Sequence, residues 1–123
     1  MTRLHPHDSE LMARIIDKLN QDLRYPLSLG MLTTEFALSA TRLKKLFKIL
    51  HDQTFYQYYT QLRMEAAADM LIKREKTIDE IAFFTGFTSI STFCRRFRQY
   101  YGVKPIQYRN NHTPPKAVGL AGE

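Results

Sequence analysis

Residues 78–98 read IDEIAFFTGFTSISTFCRRFR, and residues 29–48 read LGMLTTEFALSATRLKKLFK. In both stretches apolar residues three apart lead into a turn, and a serine then opens a second run of apolar and basic residues at helical spacing. The offset between the copies is 49 residues in the first helix and 50 in the second, so the turns differ by one residue. The pattern predicts two helix-turn-helix units in one chain.

The composition limits the class of protein. A chain of 123 residues can bury a core without disulfides, and its single cysteine, Cys94, is typical of a reducing cytosol. The net charge of +6 favours a polyanionic partner, either nucleic acid or an anionic membrane surface. Apolar runs stay far below the ~18 residues of a membrane span, and residues 1–9 lack the apolar region of a signal peptide. We therefore expect a cytoplasmic protein.

Helix signals divide the whole chain. We predict an all-α fold of roughly seven helices, since the sequence has neither an alternating strand pattern nor an Asn-Gly or Asp-Gly hairpin turn. The predicted parts are a flexible leader at 1–8, a first helix-turn-helix subdomain at 9–53, a linker helix at 54–74, a second subdomain at 75–110 and a disordered tail at 111–123.

Capping residues predict where the helices begin and end. Asp8 or Ser9 is the expected cap of the first helix. The later caps are hydroxyl residues, and two of them form capping boxes with Gln57 and Glu80: Ser28, Ser39, Thr54, Thr77 and Ser89. Gly86 supplies the second turn, because a positive φ is cheap only for glycine. Gly102 ends the next helix, and a short final helix is expected from Pro105 through Tyr108.

The predicted linker helix carries a single apolar stripe, formed by Phe55, Tyr59, Leu62, Ala66 and Met70. At 1.5 Å per residue the segment spans ~30 Å, which is close to one turn of B-DNA at ~34 Å. A rod of this length would hold two recognition helices in adjacent major grooves.

The second unit carries a longer pattern, Ile78-x-Glu80-Ile81-Ala82-x-x-x-Gly86-Phe87, then Phe93-x-Arg95-x-Phe97, then Tyr101-Gly102-x-x-Pro105-x-x-Tyr108-Arg109. This pattern resembles the DNA-binding domain of AraC/XylS-family transcription regulators, and the likeness covers about residues 9–109. Further agreement comes from Leu27-Ser28-Leu29, Ser39, Leu43, Phe47 and Arg63-Met64-x-x-Ala67.

The chain departs from the family pattern mostly in or near the first unit. Ala37 stands where the family often has glycine, and a left-handed backbone there would cost ~1–2 kcal/mol unless the turn is adjusted. Asp52 replaces a frequent glycine, although aspartate tolerates this region. Thr33 replaces a small alanine, and Lys104 replaces the usual serine cap before Pro105.

The resemblance implies that the second helix of each unit enters the major groove. Carried over by position, the base contacts are Ala40, Thr41, Lys44, Lys45, Ile90, Ser91, Cys94 and Arg95. Arg95 leads these candidates because a guanidinium suits guanine O6 and N7, the alternative being a phosphate contact or a solvated charge. The expected phosphate contacts are Ser39, Arg42, Lys48, Ser89, Arg96 and Arg98, the arginines and lysine being otherwise solvated charges.

Phe83 and Phe84 fall off the inward face of their short helix. They either pack against the linker helix or the N-terminal helix, or form a partner surface for RNA polymerase or a regulatory domain. Cys94 is either a small residue that fits the DNA groove or a redox-sensitive thiol whose pKa is lowered near a helix N-terminus.

The remaining residue patterns indicate no catalytic chemistry. His5, His7, His51 and His112 lack metal-ligand spacing, and the chain shows no catalytic triad order, phosphate loop or paired carboxylates. We expect no enzyme, metal or cofactor.

The expected function is sequence-specific binding of double-stranded DNA by a bacterial transcription regulator, usually an activator. The alternative is a helix-turn-helix protein-interaction domain with lost or weakened base readout. Because family members commonly carry a separate N-terminal sensing or dimerisation domain, the chain is either an excised C-terminal domain or a short stand-alone regulator.

Overall fold

The computed structural model describes residues 5–112, and over this range the chain is all-α, as predicted. Its helices there are α1 (Asp8–Gln21), α2 (Leu29–Phe36), α3 (Ala40–His51), α4 (Phe55–Lys73), α5 (Ile78–Phe84), α6 (Ile90–Tyr101) and α7 (Pro105–Asn111). Most of the predicted tail, from residue 113 on, and the first four residues of the predicted leader lie outside the described range. Among the described helices, none is long and apolar enough to cross a membrane.

Packing divides the chain into two units, Met1–Leu62 and Arg63–Glu123, and each has its own core. The first core contains Met12, Ile15, Leu19, Leu32, Leu43, Leu46, Phe47, Phe55 and Tyr59. The second contains Met64, Ala67, Ala68, Leu71, Ile81, Ala82, Phe93 and Phe97. Burial of these apolar faces stabilises each unit by about 25 cal/mol for every Å² removed from water.

The boundary between the units falls inside α4, which therefore serves both cores. Of the stripe predicted for this helix, Phe55 and Tyr59 are buried in the first core and Leu62 packs against it. Ala66 and Met70 are only half-buried, although Met70 packs against the second core. The second core instead takes Met64, Ala67, Ala68 and Leu71. One periodic stripe describes a helix that faces one core, whereas α4 supplies different positions to two.

The hydroxyl caps form as predicted. The Oγ atoms of Ser28, Ser39 and Ser89 accept backbone N–H groups three residues onward, at 3.1, 3.0 and 3.3 Å. Both capping boxes are closed, since the N–H of Thr54 donates to Gln57 Oε1 at 2.9 Å and that of Thr77 donates to Glu80 Oε1 at 2.8 Å.

The predicted cap of the first helix is wrong. α1 begins at Asp8 with His7 at the N-cap position, and no side chain caps it. The Asp8 carboxylate is turned to other partners: it accepts the N–H of His5 and a guanidinium N–H of Arg42, both at 2.6 Å. Local sequence signals cannot anticipate the second bond because its partners lie 34 residues apart.

The turn after α2 does not avoid the left-handed conformation. Ala37 adopts φ 54° and ψ 45°, and the next N–H, of Leu38, donates to the Thr33 carbonyl at 3.1 Å. The turn after α5 repeats this hydrogen bond, from Phe87 to the Ala82 carbonyl at 2.9 Å, with Gly86 at φ 90°. These are Schellman-type helix ends, in which an αL residue lets the chain bond back to the last turn.

The ends of the second helices also correspond. Asp52 closes α3 at φ 54°, and Gly102 closes α6 at φ 81°, as the sequence indicates. The final helix is longer than predicted, reaching Asn111 rather than Tyr108. The His112 ring stacks on that of Tyr108 with centroids 4.0 Å apart, which extends the ordered packing past the predicted helix end.

Candidate nucleic-acid interface

The outward face of α3 carries the base-contact residues assigned to the first unit. Because Leu43, Leu46 and Phe47 point into the core, the helical period turns the intervening residues outward. The residues exposed in this way are Ala40, Thr41, Lys44, Lys45 and Lys48.

The outward face of α6 is built in the same way. Phe93 and Phe97 are fully buried and anchor the helix. Of the predicted contact residues on this helix, Ile90, Ser91, Arg95, Arg96 and Arg98 are exposed, whereas Cys94 is half-buried. The structure thus brings each predicted set onto one helix of one unit; their roles as base or phosphate contacts stay predictions.

Both second helices carry charge of one sign. α3 contains Arg42, Lys44, Lys45 and Lys48, α6 contains Arg95, Arg96 and Arg98, and neither helix contains an aspartate or glutamate. Positive charge gathered on one face attracts a phosphate backbone and releases its counterions. The same faces offer small and hydroxyl side chains at the helix starts.

Arg42 is more constrained than its sequence position suggests. Its Nη2 lies 2.6 Å from Asp8 Oδ2, and the Asp8 side chain is only 7% exposed. The His5 N–H and then the Arg42 guanidinium lower the pKa of Asp8, although desolvation opposes them. No local sequence signal indicates this pair, which ties the start of α3 to the start of α1. Arg42 thus already has one carboxylate partner within its own unit.

Other predicted phosphate contacts have weaker partners. Lys48 Nζ lies 3.6 Å from Asp52 Oδ1, in an exposed pair of the kind that contributes little and exchanges readily. The Ser39 and Ser89 hydroxyls are already engaged as helix caps. A phosphate near either serine would approach a helix N-terminus at which the serine hydroxyl already accepts one backbone N–H.

The surroundings of Cys94 do not match those of a redox-sensitive thiol. Burial, followed by the charge of Asp79, raises its pKa, whereas the helix-start argument predicts a lower one. A thiol with a raised pKa is less often the reactive thiolate. Among the described residues, no group of three or more His, Cys, Asp or Glu side chains is placed to hold a metal ion.

Phe83 and Phe84 have different surroundings. Phe83 is 51% exposed, and its ring lies 5.5 Å from that of Phe84. Phe84 is half-buried, with the Lys76 ammonium 5.1 Å from its ring centroid. Phe83 is thus the more accessible of the two.

Comparisons of sequence agree with this architecture. The family model described as "Helix-turn-helix domain" matches residues 32–111. The probable transcriptional regulator LumQ of Photobacterium leiognathi is 30% identical over 98 residues, covering 80% of this chain and 40% of LumQ. The chain thus spans less than half the length of this relative.

Solved structures share the fold. The C-terminal domain of AraT, a response regulator from Geobacillus stearothermophilus, is 27% identical with a TM-score of 0.79, covering 91% of this chain and 90% of that one. The DNA-binding domain of AdpA, solved with a target DNA, has the same fold at 22% identity and a TM-score of 0.72, covering 85% and 90%. The resemblance read from residues 78–109 is confirmed, and this chain belongs to the AraC/XylS-type family of helix-turn-helix transcription regulators.

Proposed function

We propose that this chain binds double-stranded DNA in a sequence-specific manner through α3 and α6 and thereby regulates transcription. The observation that carries the proposal is the composition of these two helices, which expose basic side chains, contain no aspartate or glutamate and are anchored by buried aromatic and aliphatic residues. Family membership supports the same partner.

Base readout is assigned to positions near the start and middle of each helix, all of them exposed except the half-buried Cys94. Arg95 is suited to bidentate contact with guanine, and Ile90 is suited to packing on a thymine methyl. The other proposed base contacts are Ala40, Thr41, Lys44, Lys45, Ser91 and Cys94. Positioning on phosphates is assigned to Ser39, Arg42, Lys48, Ser89, Arg96 and Arg98, since such contacts fix register without reading sequence.

Each unit contains a complete helix-turn-helix, so one chain supplies two reading helices. We therefore propose two contact blocks in adjacent major grooves, ~10 base pairs apart. Activation is the proposed outcome, with Phe83 available to RNA polymerase. The greater length of LumQ supports a further regulatory domain in the intact protein.

The test is selection of bound sequences from a random duplex library at ~150 mM salt, where non-specific phosphate binding is reduced. We expect enrichment of a bipartite sequence with block centres about one helical turn apart. A single block would reduce the proposal to one reading unit. A folded chain that enriches no sequence would favour the alternative, a helix-turn-helix domain devoted to protein interaction.

A further inference from the structure

Each unit has an open groove where its second helix meets the start of the next helix. The first, the α3–α4 groove, has a volume of about 530 Å³ and lies between Lys44, Lys45 and Lys48 on one side and Thr54, Phe55 and Tyr56 on the other. The second, the α6–α7 groove, has a volume of about 440 Å³ and is lined by Cys94, Arg95, Arg98, Gln99 and Lys104.

The two grooves occupy equivalent positions in the sequence repeat. A shift of 50 residues carries Lys45 to Arg95, Lys48 to Arg98 and Thr54 to Lys104. The same shift relates Tyr56 to Ile106, and these two side chains are 68% and 47% exposed. Tyr56 lines the first groove, and a groove that recurs at the same place in both units is a repeated feature of the architecture.

Positive charge dominates both grooves. Three lysines line the first, and two arginines with Lys104 line the second. The opposing carboxylates are Asp52, which pairs with Lys48 at 3.6 Å, and Asp79, whose charge acts on Cys94. Lys104 lines the second groove together with the α6 residues Cys94, Arg95 and Arg98. Phe55 and Tyr56 add an apolar wall to the first groove.

A sugar–phosphate strand matches this combination, because its phosphates carry negative charge while its deoxyribose offers an apolar surface. Both grooves also adjoin the proposed base-reading residues, since Lys44, Lys45 and Arg95 belong to both surfaces. A strand that borders the major groove would lie next to a helix inserted into it.

We propose that the α3–α4 and α6–α7 grooves each hold one DNA backbone strand beside the major groove that the second helix enters, with Tyr56 and Lys104 as additional DNA contacts. The inference rests on the proposed DNA binding and deepens it. It extends the interface from the second helices to the residues at the start of the helices that follow them. The sequence patterns did not indicate these residues, which lie outside the helix-turn-helix pattern.

The first test measures the affinity of the whole chain for random-sequence duplex DNA as a function of salt. Lys104→Gln should lower the slope of log affinity against log salt by about one, the value for one lost phosphate contact. Lys73→Gln is the matched control, because it removes the same charge from the same unit at an exposed position outside the groove. It should leave the slope close to that of the wild type.

The second test addresses the apolar wall. Tyr56→Ala should weaken binding to the same duplex about fivefold, the effect expected from losing about 40 Å² of buried apolar contact with the sugar. Tyr25→Ala is its control, since Tyr25 is 63% exposed in the same unit but does not line the groove. Thermal melting of all four variants verifies that they remain folded.

The outcomes are distinct. A reduced slope for Lys104→Gln and a reduced affinity for Tyr56→Ala, with both controls unchanged, would support the proposal. Wild-type behaviour of both groove variants, while the wild type binds duplex DNA with its usual salt dependence, would overturn it and leave the proposed function intact. Failure of the wild type itself to bind duplex DNA would overturn both.

Discussion

The turns after α2 and α5 form the same hydrogen-bonded helix end from different residues. The left-handed position holds Ala37 at φ 54° in the first unit and Gly86 at φ 90° in the second. Since an L-residue pays ~1–2 kcal/mol in this region, the first turn stores strain that the second does not. The second turn follows its local sequence, whereas the first is held by its surroundings, including the packing of Leu38 against the first core.

Thr88 explains the remaining difference between the turns. In the first unit the residue after the left-handed position, Leu38, is followed at once by the cap Ser39. In the second unit Thr88 stands between Phe87 and the cap Ser89. This one residue changes the repeat offset from 49 to 50, so that the second helices of the two units are reached by loops of different length.

The largest expected effect tests whether α3 and α6, which follow these two different turns, contribute comparably to base readout. Arg95→Ala should cost ~1–3 kcal/mol of binding free energy and relax preference at one base pair. Lys45→Ala, at the equivalent position, should cost less, because an ammonium lacks the planar fork of a guanidinium. The measurement is the Kd for the selected duplex and for its single-base variants.

Arg98→Ala serves as the control for this pair, since a lost phosphate contact weakens specific and random DNA about equally. If Arg95→Ala left both affinity and sequence preference unchanged, the assignment of α6 as the second reading helix would be wrong. If Lys45→Ala cost more binding free energy than Arg95→Ala, the first unit, with its strained turn, would be the more discriminating of the two.

An intermediate effect is expected from exchanging the two turn residues. Gly86→Ala should lower the free energy of unfolding by ~1–2 kcal/mol, because it introduces the strain that Ala37 already carries. Ala37→Gly should raise it by less than ~1 kcal/mol, since the added freedom of the unfolded glycine offsets part of the relief. Denaturant unfolding at neutral pH measures both, and equal signs for the two changes would contradict the comparison.

The smallest effect concerns the Asp8–Arg42 pair, which joins α1 to the helix-turn-helix of the first unit. The folded-state pKa of Asp8 lies below its ordinary value of 3.8, so the stabilisation is complete above that value and is lost as the pH falls through the folded pKa. The stability difference between the wild type and Asp8→Asn should therefore shrink on acidification below about pH 4.

Thermal melting across this pH range is the measurement. Asp17→Asn, on the exposed side of α1, controls for the loss of a negative charge from the same helix. A stability difference that stays constant from neutral to strongly acidic pH would show that the Asp8 charge does not contribute through Arg42 and His5.

The sequence predicted most of what depends on neighbours along the chain. The serine caps, the capping boxes and the left-handed Gly86 all follow from spacings of a few residues. The candidate reading residues came from the family resemblance, by position, and all of them except the half-buried Cys94 are exposed on α3 and α6. Helical periodicity was sufficient for the local features because each of the two second helices faces one core.

Features that depend on distant residues were not predictable in this way. Asp8 was interpreted as a cap because nothing nearby reveals Arg42. The outcome at Ala37 depended on whether tertiary packing would accept the strain. The α3–α4 groove needs the relative placement of two successive helices, and Tyr56 has no periodic pattern to single it out.

The repeat also extends beyond the two helix-turn-helix units. The ring of Tyr58 lies 5.6 Å from that of Phe47, and Tyr108, 50 residues onward, lies 5.4 Å from Phe97. The start of α4 thus closes the first core as α7 closes the second. The later part of α4 takes the place in the second unit that α1 has in the first, since both precede the helix-turn-helix and bury residues in its core.

The position of the unit boundary inside α4 has a consequence for proteolysis. Domains are usually separated by nicking an exposed loop, but the residues on either side of Leu62 and Arg63 are consecutive turns of one helix. A protease would have to unwind α4 and expose backbone groups that the helix satisfies internally. The two cores are separate in packing, yet limited digestion should cut elsewhere and leave them on one fragment.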